Sequence, residues 1–334
     1  MKRWTNLALF VLLGVAFVSG WVAFFYALAP SRWSLIVHAT SGYAIVALTP
    51  WKSVIAARGV QRRRAGWGAS LVLTLLVVVS VISGILHSSG LLISAGAITA
   101  MEVHVGAALI ALPFATWHVI ARRIPMRAVD LSRRSLLRAG TVLAGAGLVY
   151  GAGEGIARLL TLPGARRSPS GSYEYGSLQP AQLPVTQWMF DGVPAIEPTA
   201  WRLVIGGGGT ARAWTYDELL RFDDRTRATL DCTGGFYSTQ DWSGVWLSRL
   251  IPPGTNASSV HVRSLTGYDR RFPIDVTDQL LLATRLGDLP LDPGHGFPVR
   301  LVAPNQRGYW WVKWVTLITV DEVPAWWQLP FPIQ

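Results

Sequence analysis

The sequence predicts two parts of different fold class: an N-terminal all-α transmembrane bundle of about five helices, and a C-terminal domain of mixed α and β structure. The 334 residues are 51% hydrophobic and only 15% charged, which is too apolar for an ordinary soluble protein. Long apolar runs dominate the chain up to Leu160, whereas short segments that alternate apolar and polar residues begin at Trp201. The two patterns indicate that one half of the chain lies in lipid and the other half outside it.

Five apolar runs are long enough to cross a hydrocarbon core of ~30 Å. Basic residues precede the first run, follow the second, and separate the fourth from the fifth, so these segments are expected to face the cytoplasm. The fifth run then carries the rest of the chain to the extracytoplasmic side of the cytoplasmic membrane. The first run lacks a small-residue cleavage site, which predicts a retained helix rather than a removed signal peptide. The runs are Leu7–Ala29, Trp33–Ala57, Trp67–Leu86, Ile98–Ile120 and Leu136–Leu160.

The formal net charge of +11 does not indicate a nucleic-acid partner. The basic residues cluster in short loops between apolar runs, where they act as topology signals. One of these loops, Ser132–Arg138, contains Arg133-Arg134 and leads into an apolar Gly/Ala-rich segment, so it looks like a twin-arginine export signal inside the chain. The alternative is an ordinary basic cytoplasmic loop. The export interpretation implies the twin-arginine machinery as a partner and a domain that is exported already folded.

Four histidines in the apolar half are candidate haem ligands, because an unpaired ionisable group in lipid is costly and usually functional. The predicted topology places three of them near the outer surface. The fourth, His118, follows His104 by fourteen residues, which corresponds to roughly 20 Å along one helix face. This spacing resembles that of the two-haem helices of b-type cytochromes. The four are His38, His87, His104 and His118.

A single haem b near the outer face is the preferred interpretation, ligated by two of the three outer histidines, with His38 and His104 favoured. Gly42 and Gly106 follow them closely and leave space for a flat macrocycle. Position 52, fourteen residues after His38, is Lys52, so a second, inner haem would lack its expected partner. The alternatives are histidines that hydrogen-bond between helices or bind quinone.

The second half begins after a tether that is rich in Gly, Ser, Pro and Arg, residues 163–182. Strands are predicted at Trp201–Ile205, Val260–Arg263 and Trp314–Val320, and short helices at Tyr216–Phe222 and Thr277–Thr284. The predicted division is therefore a four-helix haem domain at 1–126, the export-like segment and fifth helix at 127–162, the tether at 163–182, and the outer domain at 183–334.

The one cysteine, Cys232, ends a predicted strand at a glycine-bearing turn, Leu230–Phe236. It cannot form an internal disulfide. A free cysteine is most often a small buried hydrophobe, but a soft thiolate also suits a soft or high-valent metal. The residues by themselves leave both possibilities open.

Residues from about Leu183 to Val323 resemble the molybdopterin domain of the sulfite-oxidase family, which includes plant-type nitrate reductases and bacterial periplasmic methionine-sulfoxide reductases. The resemblance rests on motifs that occur in the family's order, above all the last two. The motifs are the strand Trp201–Gly206, the helix Tyr216–Leu220, the turn Leu230-Asp231-Cys232, the segment Asp241–Val245, the segment His295–Pro304, and Gly308 followed by Val312–Val315.

This resemblance implies that Cys232 supplies the single protein thiolate to molybdenum. It also implies that His295, Arg300, Val312 and Lys313 hold the pterin and its phosphate, with Ser264 as a weaker match. Fixed donors and positive charge suit an anionic cofactor, and an arginine can grip a phosphate with two parallel hydrogen bonds. Without the resemblance, each of these would be an ordinary surface cation or strand residue.

The chain departs from sulfite oxidases at two anion-binding segments. Thr233–Tyr237 follows the cysteine where those enzymes have arginines, and Trp188–Gly192 stands where they have an Arg-Asn-His segment. The departure favours a neutral substrate, such as a sulfoxide or N-oxide, over sulfite or nitrate. The predicted activity is two-electron oxygen-atom transfer, with electrons passing between a membrane quinone, haem b and molybdenum.

Two other functions are compatible with the sequence. One is a sulfite-oxidising enzyme, and the other is a non-catalytic membrane receptor or assembly factor that retains the fold as a binding module.

Overall fold

The computed structural model describes residues 2–25, 31–61, 66–96, 98–125, 127–188, 191–207, 209–252 and 257–329. It divides into two compact units, Met1–Tyr173 and Glu174–Gln334. The boundary falls inside the predicted tether. The Tyr173 hydroxyl donates to the backbone oxygen of His87 in the first unit, whereas the backbone N–H of Leu178 donates to the Thr239 oxygen, 2.8 Å away, in the second.

Five long helices form the first unit. Helix α1 packs mainly against α2, α3 against α4, and α5 against α2. A short hairpin of two-residue strands, β1 and β2, joins α3 to α4. The elements are α1 (Lys2–Phe25), α2 (Ser31–Gln61), α3 (Trp67–Ser89), β1 (Ser94–Ala95), β2 (Ile98–Thr99), α4 (Ala100–Ala121) and α5 (Arg133–Leu159).

Four of the described helices, α1, α3, α4 and α5, are long and apolar enough to span a membrane. The predicted count of five spans is not confirmed. Helix α2 coincides with the second predicted span, but its apolar residues are interrupted by polar ones such as His38 and Lys52 and by Pro50. Residues 26–29 of the first predicted span and the basic residues Arg62, Arg63 and Arg64 lie outside the described residues.

The second unit is built mainly from two β-sheets. Its elements follow β3 (Tyr173–Glu174), which lies at the boundary: β4 (Arg202–Gly207), β5 (Thr210–Thr215), α6 (Tyr216–Leu219), β6 (Asp224–Asp231), β7 (Phe236–Trp246), β8 (Ser259–Ser264), β9 (Asp269–Pro273), β10 (Leu281–Leu286), β11 (Leu289–Pro290), β12 (Arg300–Val302) and β13 (Val315–Asp321). These elements confirm a C-terminal domain of mixed α and β structure.

One sheet has the order β5-β4-β13-β8-β9, in which only β4 and β13 run parallel. In the other sheet β7 pairs with β6 and β10, and β10 also pairs with β11 and β12. Strand β7 can approach β10 closely because residue 244 is glycine: a Cβ there would lie 2.0 Å from the Leu282 backbone oxygen. A single hydrophobic core in this unit includes Leu203, Val245, Leu281, Leu301 and Ile318.

The three predicted strands are confirmed as β4, β8 and β13, and the helix predicted at Tyr216–Phe222 is present as the shorter α6. The helix predicted at Thr277–Thr284 is wrong. A 3-10 helix covers Ile274–Gln279, and Leu281–Leu286 form β10 instead. The physical reason is that Leu281 and Leu282 are completely buried between β7 and β12, and only an extended chain can pair with both strands.

Candidate functional site

Cys232 lies in a tight turn that connects β6 to β7. Its backbone N–H donates to the Phe236 oxygen at 2.8 Å, and the Gly235 N–H donates to the Cys232 oxygen at 3.1 Å. Gly235 has φ +93°, a conformation that favours glycine and explains its place in the turn. The half-buried thiol is within reach of two donors, the Gly234 N–H at 3.4 Å and the Thr186 hydroxyl at 3.5 Å.

A buried ion pair between Arg307 and Asp231 fixes the turn that contains Cys232. Arg307 is completely buried; its Nη1 donates to Asp231, and its Nη2 donates to the Cys232 backbone oxygen at 3.1 Å. Gly308 allows the two segments to approach, since a Cβ there would lie 3.2 Å from the Cys232 Cα. The sequence analysis missed Arg307; its position directly before Gly308, and that of Asp231 directly before Cys232, were the available signals.

The loop between β11 and β12 places His295 and Arg300. The Asp292 carboxylate accepts from the Gly294 N–H at 2.8 Å, and the buried imidazole of His295 donates from Nε2 to the Leu183 oxygen at 3.0 Å. Burial lowers the pKa of His295, and the charges of Arg300 and Lys313 act in the same direction. Gly296 has φ +108°, and a Cβ there would lie 2.9 Å from that of Arg300. The loop therefore brings His295, Arg300 and Lys313 together.

Arg300 is the most unusual side chain of the site, because it is 1% exposed and two of its nitrogens, Nε and Nη1, have no hydrogen-bond partner among the described residues. Its guanidinium lies 5.1 Å from the ring centre of Trp242 and 5.6 Å from that of Trp311. Burial lowers the pKa of Arg300 to about 10, and the nearby Cys232 partly opposes this shift. Buried donors of this kind need an acceptor, preferably an anionic one.

Lys313 connects the site to the extended segment before β4. Its ammonium donates to the backbone oxygens of Thr186 at 2.7 Å and Gly294 at 2.6 Å, and to the Gln187 side chain at 3.2 Å. Burial and the charge of Arg300 lower the pKa of Lys313 to about 7. Its three N–H groups are all used, so it binds a phosphate only by exchanging one of these acceptors.

Ser264 and Val312 are placed differently from the other predicted residues. The buried Ser264 hydroxyl bonds to Thr266 Oγ1 at 3.0 Å, and Thr266 Oγ1 donates to Asp191 at 3.1 Å. Burial raises the pKa of Asp191. The Val312 side chain is completely buried in the core, and its backbone oxygen accepts from the Leu301 N–H at 2.7 Å. Ser264 is thus linked by hydrogen bonds through Thr266 to Asp191, whose charge acts on Lys313. Val312 anchors the segment that carries Lys313 in the core.

In the first unit, the structure brings His38 and His104 together. The ring centres are 5.5 Å apart and the ring planes are almost perpendicular. His38 Nδ1 lies 2.7 Å from the Ala16 backbone oxygen, and His104 Nδ1 lies 2.6 Å from that of Ser80. Each Nδ1 is therefore the protonated nitrogen, which leaves Nε2 with a free lone pair.

Glycines on the partner helices make room for both imidazoles. A Cβ at Gly20 of α1 would lie 2.7 Å from His38 Nδ1, and one at Gly84 of α3 would lie 2.9 Å from His104 Nδ1. The sequence analysis named Gly42 and Gly106 instead; a Cβ at either would meet no atom within 4 Å.

The other two candidate histidines lie apart from this pair. His87 Nε2 is 3.0 Å from the Gly171 oxygen, and its buried Nδ1 has no partner among the described residues. His118 Nδ1 is 3.2 Å from the Ser70 hydroxyl. Within the described part of the chain, no group of three or more His, Cys, Asp or Glu side chains forms a metal site.

Comparison with known proteins gives one family match. Residues 190–327 match the oxidoreductase molybdopterin binding domain. Mitochondrial sulfite oxidase of Mus musculus is 28% identical over an alignment 166 residues long, which covers 39% of this chain and 30% of that protein. The NADPH nitrate reductase of Fusarium oxysporum is 27% identical over an alignment 100 residues long, which covers 26% of this chain and 11% of that protein.

A solved structure, the sulfane dehydrogenase SoxCD from Paracoccus pantotrophus, is 26% identical and covers 40% of this chain and 41% of its own, with a TM-score of 0.36. The chain spans less than a third of the length of either curated relative.

The buried ion pair behind Cys232 gives a first prediction. Arg307→Met is expected to destabilise the protein by about 3–5 kcal/mol, because it leaves a buried carboxylate without its guanidinium. Arg227→Met is the matched control: it breaks the Arg227–Asp241 pair, whose side chains are 61% and 52% exposed, and exposed pairs contribute little. Denaturant unfolding of the full-length protein, followed by tryptophan fluorescence, measures both. Equal losses for the two variants would contradict the role given to Arg307.

Proposed function

We propose that this protein is a membrane-bound molybdenum oxidoreductase that carries out two-electron oxygen-atom transfer, because residues 190–327 match the oxidoreductase molybdopterin binding domain and the chain is similar to sulfite oxidase. One observation carries the proposal. The guanidinium of Arg300 is buried, and two of its nitrogens have no partner among the described residues. The half-buried thiol of Cys232 is close enough that the negative charge of its thiolate form acts to raise the pKa of Arg300. A buried cation beside a free thiol suits an anionic cofactor whose metal takes one thiolate.

The residues of the site divide the task of holding this cofactor. Molybdopterin, when bound with its metal, supplies the oxygen-atom transfer. Cys232 would provide the thiolate, and Arg300 would donate from Nε and Nη1 to the anionic part of the cofactor. His295 and Lys313 would complete the cradle. Donors at Gly234 and Thr186 lie near the Cys232 sulfur and would reduce the electron donation of a thiolate there.

The substrate we propose is neutral, a sulfoxide or an N-oxide. The turn after Cys232, Thr233–Tyr237, contains no cation, and the nearby Arg307 is already engaged with Asp231. Reduction of a sulfoxide consumes two electrons and two protons and releases a sulfide and water. The second candidate is oxidation of sulfite, which the similarity to mitochondrial sulfite oxidase of Mus musculus favours.

For the first unit we propose a b-type haem between His38 and His104. Their Nδ1 atoms are held by backbone carbonyls of α1 and α3, which fixes both rings and leaves Nε2 available to iron. A low-spin haem would pass electrons one at a time to or from the molybdenum centre. His87 and His118 are weaker candidates, since each has a different partner.

A membrane quinone is the proposed electron partner. An apolar groove of about 520 Å³ lies between α1 and α2 and is lined by Gly14, Val15, Val18, Ser19, Val22, Trp33, Ser34 and Val37. The lining residue Val37 is the chain neighbour of His38. We further propose that the chain lies in the cytoplasmic membrane, and that the twin-arginine-like segment Ser132–Arg138 exports the second unit to the outer side.

The molybdenum assignment predicts the effect of removing the thiol. Wild-type protein is expected to contain molybdenum and to reduce sulfoxides or N-oxides with a reduced dye faster than it oxidises sulfite. Cys232→Ala is expected to lower turnover by more than about 100-fold, because it removes a metal ligand rather than a neighbour of one. Thr233→Ala, one residue further on, is the control. Absence of molybdenum from the wild type, or unchanged turnover in Cys232→Ala, would refute the proposal.

The haem assignment predicts a difference between two buried histidines. His104→Ala is expected to abolish the reduced-haem absorption bands of the purified full-length protein. His87→Ala should retain them, because its Nε2 already faces the Gly171 oxygen. Reduced-minus-oxidised spectra normalised to protein concentration measure the haem content. Bands that persist in His104→Ala, or vanish only in His87→Ala, would show that the pair is wrongly chosen.

A further inference from the structure

The four helices α1 to α4 each contribute a polar side chain at the end of the bundle that is remote from His38 and His104. Lys52 Nζ donates to Asn6 Oδ1 at 2.9 Å, and the Ser70 hydroxyl lies 3.2 Å from His118 Nδ1. Lys52 and His118 lie fourteen residues beyond His38 and His104, which is ~21 Å further along the same helix faces. These four residues, Asn6, Lys52, Ser70 and His118, form what we call the inner polar layer.

The inner polar layer is positively charged and has no carboxylate to neutralise it. Arg122 is the charged group that acts on Lys52, and both cations act on the His118 imidazole. The sequence of residues 1–173 contains only three acidic side chains. Each is engaged elsewhere: Glu102 caps α4 at Thr99, Asp130 pairs with Arg3, and Glu154 pairs with Arg167.

Lys52 therefore lacks an anion within its own unit. Its ammonium has three N–H groups and uses one of them on Asn6, which leaves two without an acceptor among the described residues. A partly buried cation among apolar helices is costly unless an anion accompanies it. The neutral headgroup of a quinone would accept a hydrogen bond but would leave this charge uncompensated.

The inner polar layer lies at a level of the bundle where the phosphate groups of lipids are found. Ser70 lies in the first turn of α3, Asn6 directly follows the first turn of α1, and His118 lies in the last turn of α4. Lys52 lies nine residues before the end of the longer helix α2, at the level of Asn6, to which it bonds. In helices that cross a bilayer, the terminal turns reach the level of the phosphate groups. We propose that the inner polar layer binds the phosphate of an acidic phospholipid, with Lys52 as its principal donor and His118 as its neighbour. This site is independent of the function proposed for the molybdenum domain.

Native mass spectrometry of the full-length protein in detergent tests this site. Delipidated protein is titrated with phosphatidylglycerol, with phosphatidylcholine, and with inorganic phosphate in separate arms. Phosphatidylglycerol is expected to bind wild type at least about fivefold more tightly than it binds Lys52→Gln, since one basic residue near an anionic lipid contributes roughly that factor. Arg58→Met removes an exposed cation from the same helix, where water screens its charge, and should lower the affinity by a smaller factor than Lys52→Gln does.

Each other outcome counts against the proposal. Equal binding of phosphatidylcholine, or of inorganic phosphate at the same site, would show that the lipid is not the ligand. Unchanged affinity in Lys52→Gln, or a loss of equal size in Arg58→Met, would show that the layer is not the site. If Lys52→Gln does not fold, Lys52→Arg decides the matter, because it keeps the charge and must keep the preference for phosphatidylglycerol.

Discussion

The candidate site contains two buried guanidinium groups, those of Arg300 and Arg307, and within the described part of the chain only Arg307 pairs with a carboxylate. Arg307 has Asp231 as its counterion, and the pair fixes the turn that presents Cys232. Arg300 has aromatic rings and the thiol as its neighbours, with two nitrogens unpartnered in the described residues. A protein normally buries a charge only when something compensates it. The buried guanidinium of Arg300 is therefore expected to pair with an anionic cofactor.

The supporting elements follow from that constraint. Gly296 and Gly308 permit the approach of segments that carry Arg300, Lys313 and Cys232, and the core strands β10 and β12 hold the loop between them in place. Lys313 ties the same loop to the segment at Thr186. The arrangement costs stability in the cofactor-free chain, because a cation is desolvated without full compensation. Binding of the cofactor would recover part of that cost, so folding and loading of this unit are expected to be linked.

Much of the fold was predictable because it depends on local pattern. Alternating residues predicted β4, β8 and β13, and long apolar runs predicted the helices of the first unit. The helix expected at Thr277–Thr284 failed because burial on both sides made Leu281–Leu286 a strand, which periodicity does not distinguish from a buried helix. The predicted count of five membrane spans is not confirmed, since four of the described helices are long and apolar enough to span a membrane and polar residues interrupt α2.

The candidate site was predictable only where a motif carried it. The family resemblance pointed to Cys232, His295, Arg300 and Lys313. The predicted position near the outer surface, with a glycine shortly after each, favoured His38 and His104, whose ring centres lie 5.5 Å apart. Arg307, Thr186 and Gly20 were missed, because each matters through a partner that is distant in sequence: 75 residues for Arg307 and Cys232, and 46 for Thr186 and Cys232. Such contacts depend on the tertiary fold rather than on any local pattern.

The central claim is that Cys232 is the protein ligand of molybdenum. X-ray absorption at the molybdenum edge of the purified full-length protein tests it most directly, because the method counts sulfur neighbours whatever the substrate. The account predicts that Cys232→Ser loses one sulfur scatterer relative to wild type while the sulfurs of the pterin remain. An identical sulfur count in the two proteins, both loaded with molybdenum, would contradict it.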